Sequence, residues 1–478
     1  MTALNTWEKL SGIVLIYVAS AISSPAQAFN SLVSFDQQNG AYPLYVALVQ
    51  GEDGNFYGTT SQGGSTNCDG GCGTVFRVSP AGTLTTLYSF CAEAPPCPDG
   101  SGPRHGLLFG LDGDFYGTTT TTIFKITSSG VLKTIYTFCA QAGCPDGEYP
   151  TGPLIQANGY LYGATLAGGY SNCSQGCGTI FKITPTGELS TLYAFSSLDG
   201  ETPNGLVEGD DGNLYGTTEQ GGNVSDPCIE FYSGCGTVFK LSPSGQLTTL
   251  YNFCPDSFDC PDGYAPNGPL LQTSNGQFYG TTYGDSTVFS ISATGTFETV
   301  HRFGGINQVT GPLVQATDGN LYGTTIQGAI RYGTIFQMNT VGASVVNTLH
   351  NFEGTDGAFP SVGPFQATSG MFYGTTDQGG TDNNCFEGCG TLYSMNVNLG
   401  PFIAFVHESG KVGQTGGILG QGFTGTTSVS LNGTPASFTV VSDTFIKATV
   451  PPGATTGLVT VVTPSGTLTS NVPFRVLQ

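Results

Sequence analysis

Charge is scarce in this sequence, and most of it has one sign. Charged residues make up 9% of the chain, 12 of them basic against 33 acidic, which gives a formal net charge of −21. An acidic surface repels nucleic acid and anionic lipid, so neither is an expected partner. The low charge density also argues against a disordered acidic chain, because such chains are rich in charged residues.

Long apolar runs and tryptophan are nearly absent as well. The one apolar run, residues 13–19, precedes the small-x-small sequence Ala26-Gln27-Ala28. Because the run is too short to span a membrane, residues 1–28 are predicted to be a secretory signal peptide, with an uncleaved anchor as the alternative. The mature chain would be secreted, periplasmic or at the cell surface, without a membrane span. It would lose the single tryptophan, Trp7, which leaves tyrosines to stack on sugars.

Cysteine, by contrast, is plentiful and comes in close pairs with none left over. In an exported chain such pairs predict disulfides. A zinc site is the alternative, but the cysteine loops carry no histidine and the pairs do not come two plus two, as a four-cysteine site requires. The predicted bridges are Cys68–Cys72, Cys91–Cys97, Cys139–Cys144, Cys173–Cys177, Cys228–Cys235, Cys254–Cys260 and Cys385–Cys389.

A repeated unit organises most of the chain. The sequence Tyr-Gly-Thr-Thr, with Ala in place of the first Thr in one copy, recurs seven times at intervals of 43 to 64 residues by subtraction of the tyrosine positions, and such a period indicates a solenoid, a propeller or an array. Each unit is rich in Thr, Val, Leu, Tyr and Phe, is punctuated by Gly, Asp, Asn and Pro, and lacks apolar residues at helical spacing, so strands are predicted. The anchoring residues are Tyr57, Tyr116, Tyr162, Tyr215, Tyr279, Tyr322 and Tyr373.

One unit shows how many strands each repeat contains. Residues 153–157, 160–165, 178–183 and 189–195 each alternate like a strand, and Asn158-Gly159 is typical of a type I′ hairpin turn. Four antiparallel strands repeated seven times predict an all-β protein with a seven-bladed β-propeller over residues 29–399.

The two ends of the repeat region predict a closed ring. A seventh copy of the fourth-strand motif, residues 32–35, precedes the first full unit, whereas the last unit, from Gly363 onward, lacks its fourth strand. The N-terminal strand is therefore expected to complete the last blade. Closure of this kind protects the sheet edges.

Residues 400–478 follow a different pattern. Short alternating segments separated by Gly, Pro and Asn turns predict a small immunoglobulin-like β-sandwich. Residues 420–423, 426–433, 442–451 and 457–464 resemble, in order, the segments of a TIG (IPT) domain. That family includes extracellular adhesion modules and DNA-contacting domains, and the acidity and the predicted export favour the first.

The propeller unit resembles the GloVer tandem repeat of secreted, surface-anchored bacterial proteins. The resemblance rests on Asp-Gly-Asn-Leu-Tyr-Gly-Thr-Thr at residues 211–218 and Gly-Thr-Val-Phe-Lys at residues 236–240, and it spans all seven units. It implies no particular activity. The unit is also similar to lyase propellers that use a histidine, acidic residues and a metal near the channel, and here His105 is the one histidine in a suitable loop.

Because successive strands of a blade run in opposite directions, alternate connections lie on opposite faces of the propeller. Loops between second and third strands share a face with the links between blades, and this face carries all the cysteine pairs and most of the length variation. Because variable loops on a rigid scaffold are favoured binding sites, any site is expected there. Candidates are residues that break the repeat, the alternative being ordinary solvated loop residues: Arg104, His105, Glu148, Tyr149, Glu230, Phe231, Tyr232, Tyr264, Arg331 and Tyr332.

Aspartates recur before glycine in the blade links. A ring of carboxylates at one end of the channel would suit Ca²⁺, which takes several oxygen ligands. The alternative is that each aspartate caps its own turn. The residues concerned are Asp99, Asp146, Asp199, Asp262 and Asp356, and no other cofactor is expected.

Three functions remain open from the sequence. The first is an exported, non-enzymatic protein that binds an extracellular glycan or protein through its loop-bearing face, with the C-terminal domain as a spacer or adhesive module. The second is an extracellular polysaccharide hydrolase or lyase, with an acidic pair and His105 or a tyrosine in a groove, because acid–base catalysis needs two converging groups. The third is a structural component of the cell envelope.

Overall fold

The computed structural model describes residues 28–92, 96–169, 173–222, 228, 234–255, 260–304, 307–327, 331–340 and 344–477. The predicted signal peptide, residues 1–28, lies outside these ranges except for Ala28. Strands, turns and loops account for nearly all of the described chain, and no α-helix occurs in it. In particular, the described residues contain no helix long and apolar enough to cross a membrane.

The first twenty-nine strands belong to the repeats. In chain order they are β1 (Ala28–Ser34), β2 (Val49–Gln50), β3 (Phe56–Thr60), β4 (Thr74–Val78), β5 (Leu84–Ser89), β6 (Leu108–Phe109), β7 (Phe115–Thr118), β8 (Thr122–Ile126), β9 (Leu132–Thr137), β10 (Glu148–Ala157), β11 (Tyr160–Ala167), β12 (Thr179–Ile183), β13 (Leu189–Ala194), β14 (Glu201–Glu208), β15 (Leu214–Gln220), β16 (Thr237–Leu241), β17 (Leu247–Asn252), β18 (Tyr264–Pro266), β19 (Leu271–Gln272), β20 (Phe278–Gly284), β21 (Thr287–Ile291), β22 (Phe297–Arg302), β23 (Val309–Gln315), β24 (Leu321–Thr325), β25 (Thr334–Met338), β26 (Val346–Asn351), β27 (Phe365–Gln366), β28 (Phe372–Thr376) and β29 (Thr391–Asn396).

These strands form seven antiparallel sheets, one per repeat, which we number as blades one to seven. The sheets are β2–β5, β6–β9, β10–β13, β14–β17, β18–β22, β23–β26, and β27–β29 with β1. First strands of neighbouring blades lie side by side, as β2 does with β6 and β10 with β14, so they line the centre of the ring. The predicted seven-bladed propeller is confirmed.

The ring is closed by hydrogen bonds between its two ends. β1 pairs antiparallel with β29, with Ala28 opposite Asn396 and Ser34 opposite Thr391. The Phe29 ring also stacks on the His350 ring of blade six, with centroids 3.6 Å apart. The N-terminal strand therefore joins the last blade of the ring.

The repeated motif is explained by packing within and between blades. Tyr57 is buried, stacks on Phe115 of the next blade at 4.0 Å, and donates its hydroxyl hydrogen to Asp53 in the preceding turn (2.9 Å). The next residue is glycine because a Cβ at Gly58 would lie 2.6 Å from the Phe76 ring. The Asp-Gly-Asn-x-Tyr-Gly sequence is thus one packing unit.

The C-terminal domain is a β-sandwich with its own buried core, which includes Phe423, Ile446 and Val461. One sheet has the order β30–β32–β36–β35, the other β34–β33–β37–β38, and β31 pairs in parallel with β39. The strands are β30 (Ala404–Phe405), β31 (Ser409–Lys411), β32 (Thr415–Leu419), β33 (Ser428–Leu431), β34 (Thr434–Pro435), β35 (Phe438–Ser442), β36 (Phe445–Thr449), β37 (Val459–Thr463), β38 (Gly466–Thr469) and β39 (Arg475–Leu477).

The sandwich packs against the ring. Its Leu419 and Phe445 share a core cluster with Phe109 of blade two, and Thr444 Oγ1 donates to the Glu52 carbonyl of blade one (2.6 Å). A spacer would stand clear of the ring, so the spacer hypothesis does not describe this arrangement. The contacts lie on the face with the short hairpin turns, which we call the turn face; the opposite face, with the cysteine loops and blade links, is the loop face.

Candidate functional site

The two kinds of long loop meet on the loop face. The sulfur atoms of Cys68 and Cys72, between the second and third strands of blade one, lie within 4.8 Å of the Cys91 sulfur in the following blade link. Likewise the sulfurs of Cys173 and Cys177 lie within 4.8 Å of a carboxylate oxygen of Glu201, the first residue of β14, where the next link ends. The alternation of strand direction therefore predicts the position of these loops correctly.

All seven expected disulfides are present in the structure, and no cysteine is free. One premise used against zinc is wrong, however. The bridges Cys228–Cys235 and Cys254–Cys260 lie side by side, with all four sulfurs within 4.8 Å of one another. Two cysteine pairs therefore do lie together at one place in the structure, but they form two adjacent disulfides.

A cavity of about 490 Å³ opens at the centre of the loop face, and we call it the mouth cavity. Its walls come from the start of the first strands and the end of the second strands. Glycines permit close approach there, because a Cβ at Gly152 would lie 2.4 Å from the Gly205 Cα. Lining residues that matter below are Tyr45, Arg104, His105, Tyr149, Leu166 and Glu219.

One side of the mouth cavity carries large side chains. His105 occupies the position in its unit that Gly152 and Gly268 occupy in theirs. Its ring stacks with the Tyr45 ring of blade one, with centroids 6.2 Å apart. The cavity is therefore asymmetric, because blade two carries an imidazole ring at a position where blades three and five have glycine.

Ionisable groups from several blades surround Tyr45. Ser361 Oγ accepts from the Tyr45 backbone N–H (2.9 Å) and donates to Asp377 Oδ1 (2.8 Å). Burial raises the pKa of the Tyr45 hydroxyl, and the charges of Asp377 and Glu219 raise that pKa further. These carboxylates from blades seven and four therefore act on one point of the mouth cavity.

Burial shifts the titration of the groups around Tyr45. It raises the pKa of Asp377 to about 8, against a smaller lowering by the Ser361 hydroxyl bond. It lowers the pKa of His105 to about 4, and the neighbouring Arg104 charge acts in the same direction. It also raises the pKa of Glu219. At neutral pH the site thus holds a neutral imidazole and a protonated Asp377.

Three of the ten candidate residues come together in the structure. Arg104, His105 and Tyr149 all line the mouth cavity. Glu148 lies just outside it, where its charge and a side-chain hydrogen bond raise the pKa of Tyr149. A binding role for these residues stays a prediction.

The other candidates lie elsewhere. The Tyr264 ring covers Gly284 on the neighbouring strand. Arg331 forms an ion pair with Glu387 (2.8 Å) and lies over the Tyr332 ring, which links the loops of blades six and seven. Three further candidates fall outside the described residues: Glu230, Phe231 and Tyr232.

Each of the five aspartates in the blade links accepts a hydrogen bond from the fourth strand of the preceding blade. Tyr88, for example, donates its hydroxyl hydrogen to Asp99 (2.9 Å), and the Cys91 N–H donates to the same oxygen (2.8 Å). The turn-capping alternative accounts for these contacts, and calcium binding stays a prediction. The equivalent pairs are Tyr136–Asp146, Tyr193–Asp199, Tyr251–Asp262 and His350–Asp356.

The sequence contained a signal for the residues that were missed. One position, directly after the repeated Tyr-Gly-Thr-Thr sequence (Tyr-Gly-Ala-Thr in unit three), differs in every unit although the residues before it repeat. Glu219 and Leu166 at this position line the mouth cavity, and Asp377 and Tyr283 act electrostatically on Tyr45. A variable position directly after a constant sequence thus marks the site: Ser61, Thr120, Leu166, Glu219, Tyr283, Ile326 and Asp377.

Comparisons with known proteins agree with this architecture. The chain is similar to a streptogramin B lyase structure, at 14% identity over 78% of this chain and 98% of that chain, with a TM-score of 0.51. It is also similar to a catalytically inactive variant of virginiamycin B lyase from Staphylococcus aureus with quinupristin, at 15% identity over 78% and 99% of the chains and a TM-score of 0.52. At these identities the likeness shows the propeller fold alone.

Family comparisons cover nearly the whole chain. No curated protein matches it. The Gloeobacter/Verrucomicrobia repeat matches residues 18–175, 121–312 and 284–426, and the IPT/TIG domain matches residues 401–476. The chain therefore belongs to the Gloeobacter/Verrucomicrobia repeat family and carries a C-terminal IPT/TIG domain.

Proposed function

We propose that this is an exported, non-enzymatic binding protein whose ligand, part of an extracellular glycan or protein, enters the mouth cavity. The observation that supports it best is the meeting of Arg104, His105 and Tyr149, three repeat-breaking residues from two blades, on one cavity of about 490 Å³. That volume lies within the roughly 300–1,000 Å³ typical of ligand pockets.

The surface around the cavity has the character of a binding site. Tyr45, Tyr149, Leu166 and Tyr283 are large side chains that remain 40–44% exposed on this one face. Tyrosine combines an apolar ring with a polar hydroxyl and is enriched at interfaces for that reason. Seven disulfides stiffen the loops of the same face, which reduces the entropy lost when a ligand orders them.

The channel is covered at its other end. Phe402, Phe405 and Leu419 of the sandwich line a second cavity of about 310 Å³ together with first-strand residues such as Gln50 and Gln366. A ligand is therefore expected to enter from the loop face alone. The C-terminal domain has a supporting role in this proposal, because it blocks the turn-face end.

Binding to a glycan array and a peptide array, followed by titration of the hits, tests the proposal. We expect Y149A and R104A to weaken binding at least about tenfold, which corresponds to about 1.4 kcal/mol. V131A is the matched control, because Val131 is 67% exposed in a turn of the opposite face. Equal binding by all three variants would place the ligand elsewhere, and substrate turnover without stable binding would overturn the proposal.

Catalysis on a polysaccharide is a second candidate, favoured by one observation. His105 and Asp377 both lie close to Tyr45, and at neutral pH one is an unprotonated base and the other a protonated acid. Such a pair suits proton transfer, provided that both groups reach the same bond. Release of new reducing or unsaturated ends that is lost in H105A and D377N would favour this candidate over simple binding.

A further inference from the structure

We infer that the ligand of the mouth cavity is a zwitterion, with a cationic and an anionic group held apart, as in a short peptide with free ends. This inference rests on the proposed binding function and specifies its ligand. It starts from two residues of opposite charge, Arg104 of blade two and Glu219 of blade four, which line the same cavity.

Arg104 and Glu219 do not neutralise each other. Neither belongs to any of the ion pairs formed within the described part of the chain, in contrast to Arg331 and Arg475, which both have carboxylate partners. Blade three, with Tyr149 and Leu166 on the cavity wall, separates them in the ring. The cavity therefore presents a positive group and a negative group at two places.

The surroundings of Glu219 favour a cation over a neutral group. Burial raises the pKa of Glu219, so its carboxylate lacks part of the hydration that an exposed carboxylate has, and a ligand cation would restore that stabilisation. The exposed rings of Tyr45 and Tyr283 lie in the same region, and tyrosine faces attract ammonium groups.

Arg104 offers the complementary half of the site. A guanidinium group binds a carboxylate through two parallel hydrogen bonds, which orients the ligand as well as attracting it. A neutral or singly charged ligand would leave either Arg104 or Glu219 without a partner inside the cavity. A zwitterion satisfies both, and the cavity of about 490 Å³ lies within the size range of ligand pockets.

Capped peptides test each charge separately. The probes are trialanine, its N-acetyl form, its C-terminal amide and the doubly capped form, titrated by NMR into the full-length protein. We expect each cap to weaken binding about fivefold to tenfold. In E219Q, N-acetylation should no longer weaken binding, whereas C-terminal amidation should still weaken it. In R104Q, amidation should no longer weaken binding, whereas acetylation should still weaken it.

The outcomes separate this inference from the proposed function. If the caps have no effect, or if both variants lose both preferences equally, the zwitterion inference is wrong. If the arrays find ligands whose binding requires Tyr149 while no trialanine form binds, the inference also fails but the binding function stands. If nothing binds in any of these assays, both fail. Thermal unfolding of E219Q and R104Q close to that of the parent protein confirms that the variants are folded.

Discussion

Arg475, in the last strand of the sandwich, forms an ion pair with Glu208, in the first strand of blade four, at 3.2 Å between Nη2 and Oε2. The same guanidinium donates to the Gly209 carbonyl (2.7 Å). Both side chains are only 17% exposed. This contact fixes the C-terminal domain to the turn face more than two hundred residues away in sequence.

Glu208 stands where most units have glutamine. That glutamine accepts a hydrogen bond from a backbone N–H in the turn of the preceding blade, as Gln156 does from Leu111 (3.1 Å). Only blades two and four depart from the pattern, with Phe109 and Glu208, and both residues contact the sandwich. The corresponding bonds are Asp210–Gln272, Ser274–Gln315, Thr317–Gln366 and Thr368–Gln50.

Removing the Arg475 side chain should loosen the sandwich from the ring. We expect R475A to cost about 2 kcal/mol of unfolding free energy in urea, between the values for exposed and fully buried pairs, because Glu208 would be left without its cation. The domain linker near residues 399–401 should also become sensitive to protease.

R331A is the matched control, since Arg331 is 70% exposed in its pair with Glu387. It should cost less than about 1 kcal/mol, as exposed pairs do. If R331A and R475A lowered the free energy of unfolding equally, the interdomain ion pair would stabilise the protein no more than an exposed pair does.

Phe109 should contribute by packing rather than by charge. It is 5% exposed and shares a cluster with Phe115, Leu419 and Phe445. We expect F109A to cost about 3 kcal/mol in urea unfolding, at the low end for buried phenylalanines because the interdomain surface can adjust. F109Q restores the residue of most other units, yet it should cost a similar amount because its amide would face apolar side chains. If F109Q left the free energy of unfolding unchanged, the hydrogen bond that glutamine makes in other blades would stabilise the protein as much as the packing of Phe109 against the sandwich does.

The fold was readable from the sequence because each strand carries its own alternation and turn residues, seven times over. Closure was readable because one fourth strand was missing at the end and one copy was present at the start. The packing of the sandwich against the ring could not be predicted, because Phe109 and Glu208 look like ordinary variation of the repeat when the structure is not known. In the site, His105 broke the repeat visibly, whereas Glu219 and Asp377 directly follow the repeated Thr-Thr sequence of the second strand, where no candidate was chosen.

The pKa of Asp377 predicts a pH dependence of stability. The folded protein keeps this proton up to about pH 8, whereas the unfolded chain releases it near pH 4, roughly the ordinary value. The folded state therefore binds more protons between these values, and the contribution of Asp377 to stability must fall as pH rises from about 4 to about 8.

Substitution by asparagine removes this titration. We expect D377N to be more stable than the parent protein at pH 8.5 and to lose the advantage towards pH 4, as measured by urea unfolding at both pH values. The Ser361 hydroxyl can still donate to the amide oxygen, so the local hydrogen bond is kept. A difference between D377N and the parent protein that does not change with pH would contradict the assignment.

Chelation distinguishes the two interpretations of the link aspartates. Asp146 accepts from the Tyr136 hydroxyl (2.8 Å) and the Cys139 N–H (3.1 Å), and burial followed by the Asp146 bond raises the pKa of Tyr136 to about 12. If these contacts are the whole role of the aspartates, EDTA should leave the melting temperature unchanged. Y136F should cost about 1 kcal/mol, the usual value for one hydrogen bond, with or without added calcium.

Y160F is the control, since Tyr160 is partly exposed and its ring packs near Lys182 rather than capping a turn. A melting temperature that falls in EDTA and recovers with calcium would mean that the carboxylates hold an ion as well as their turns.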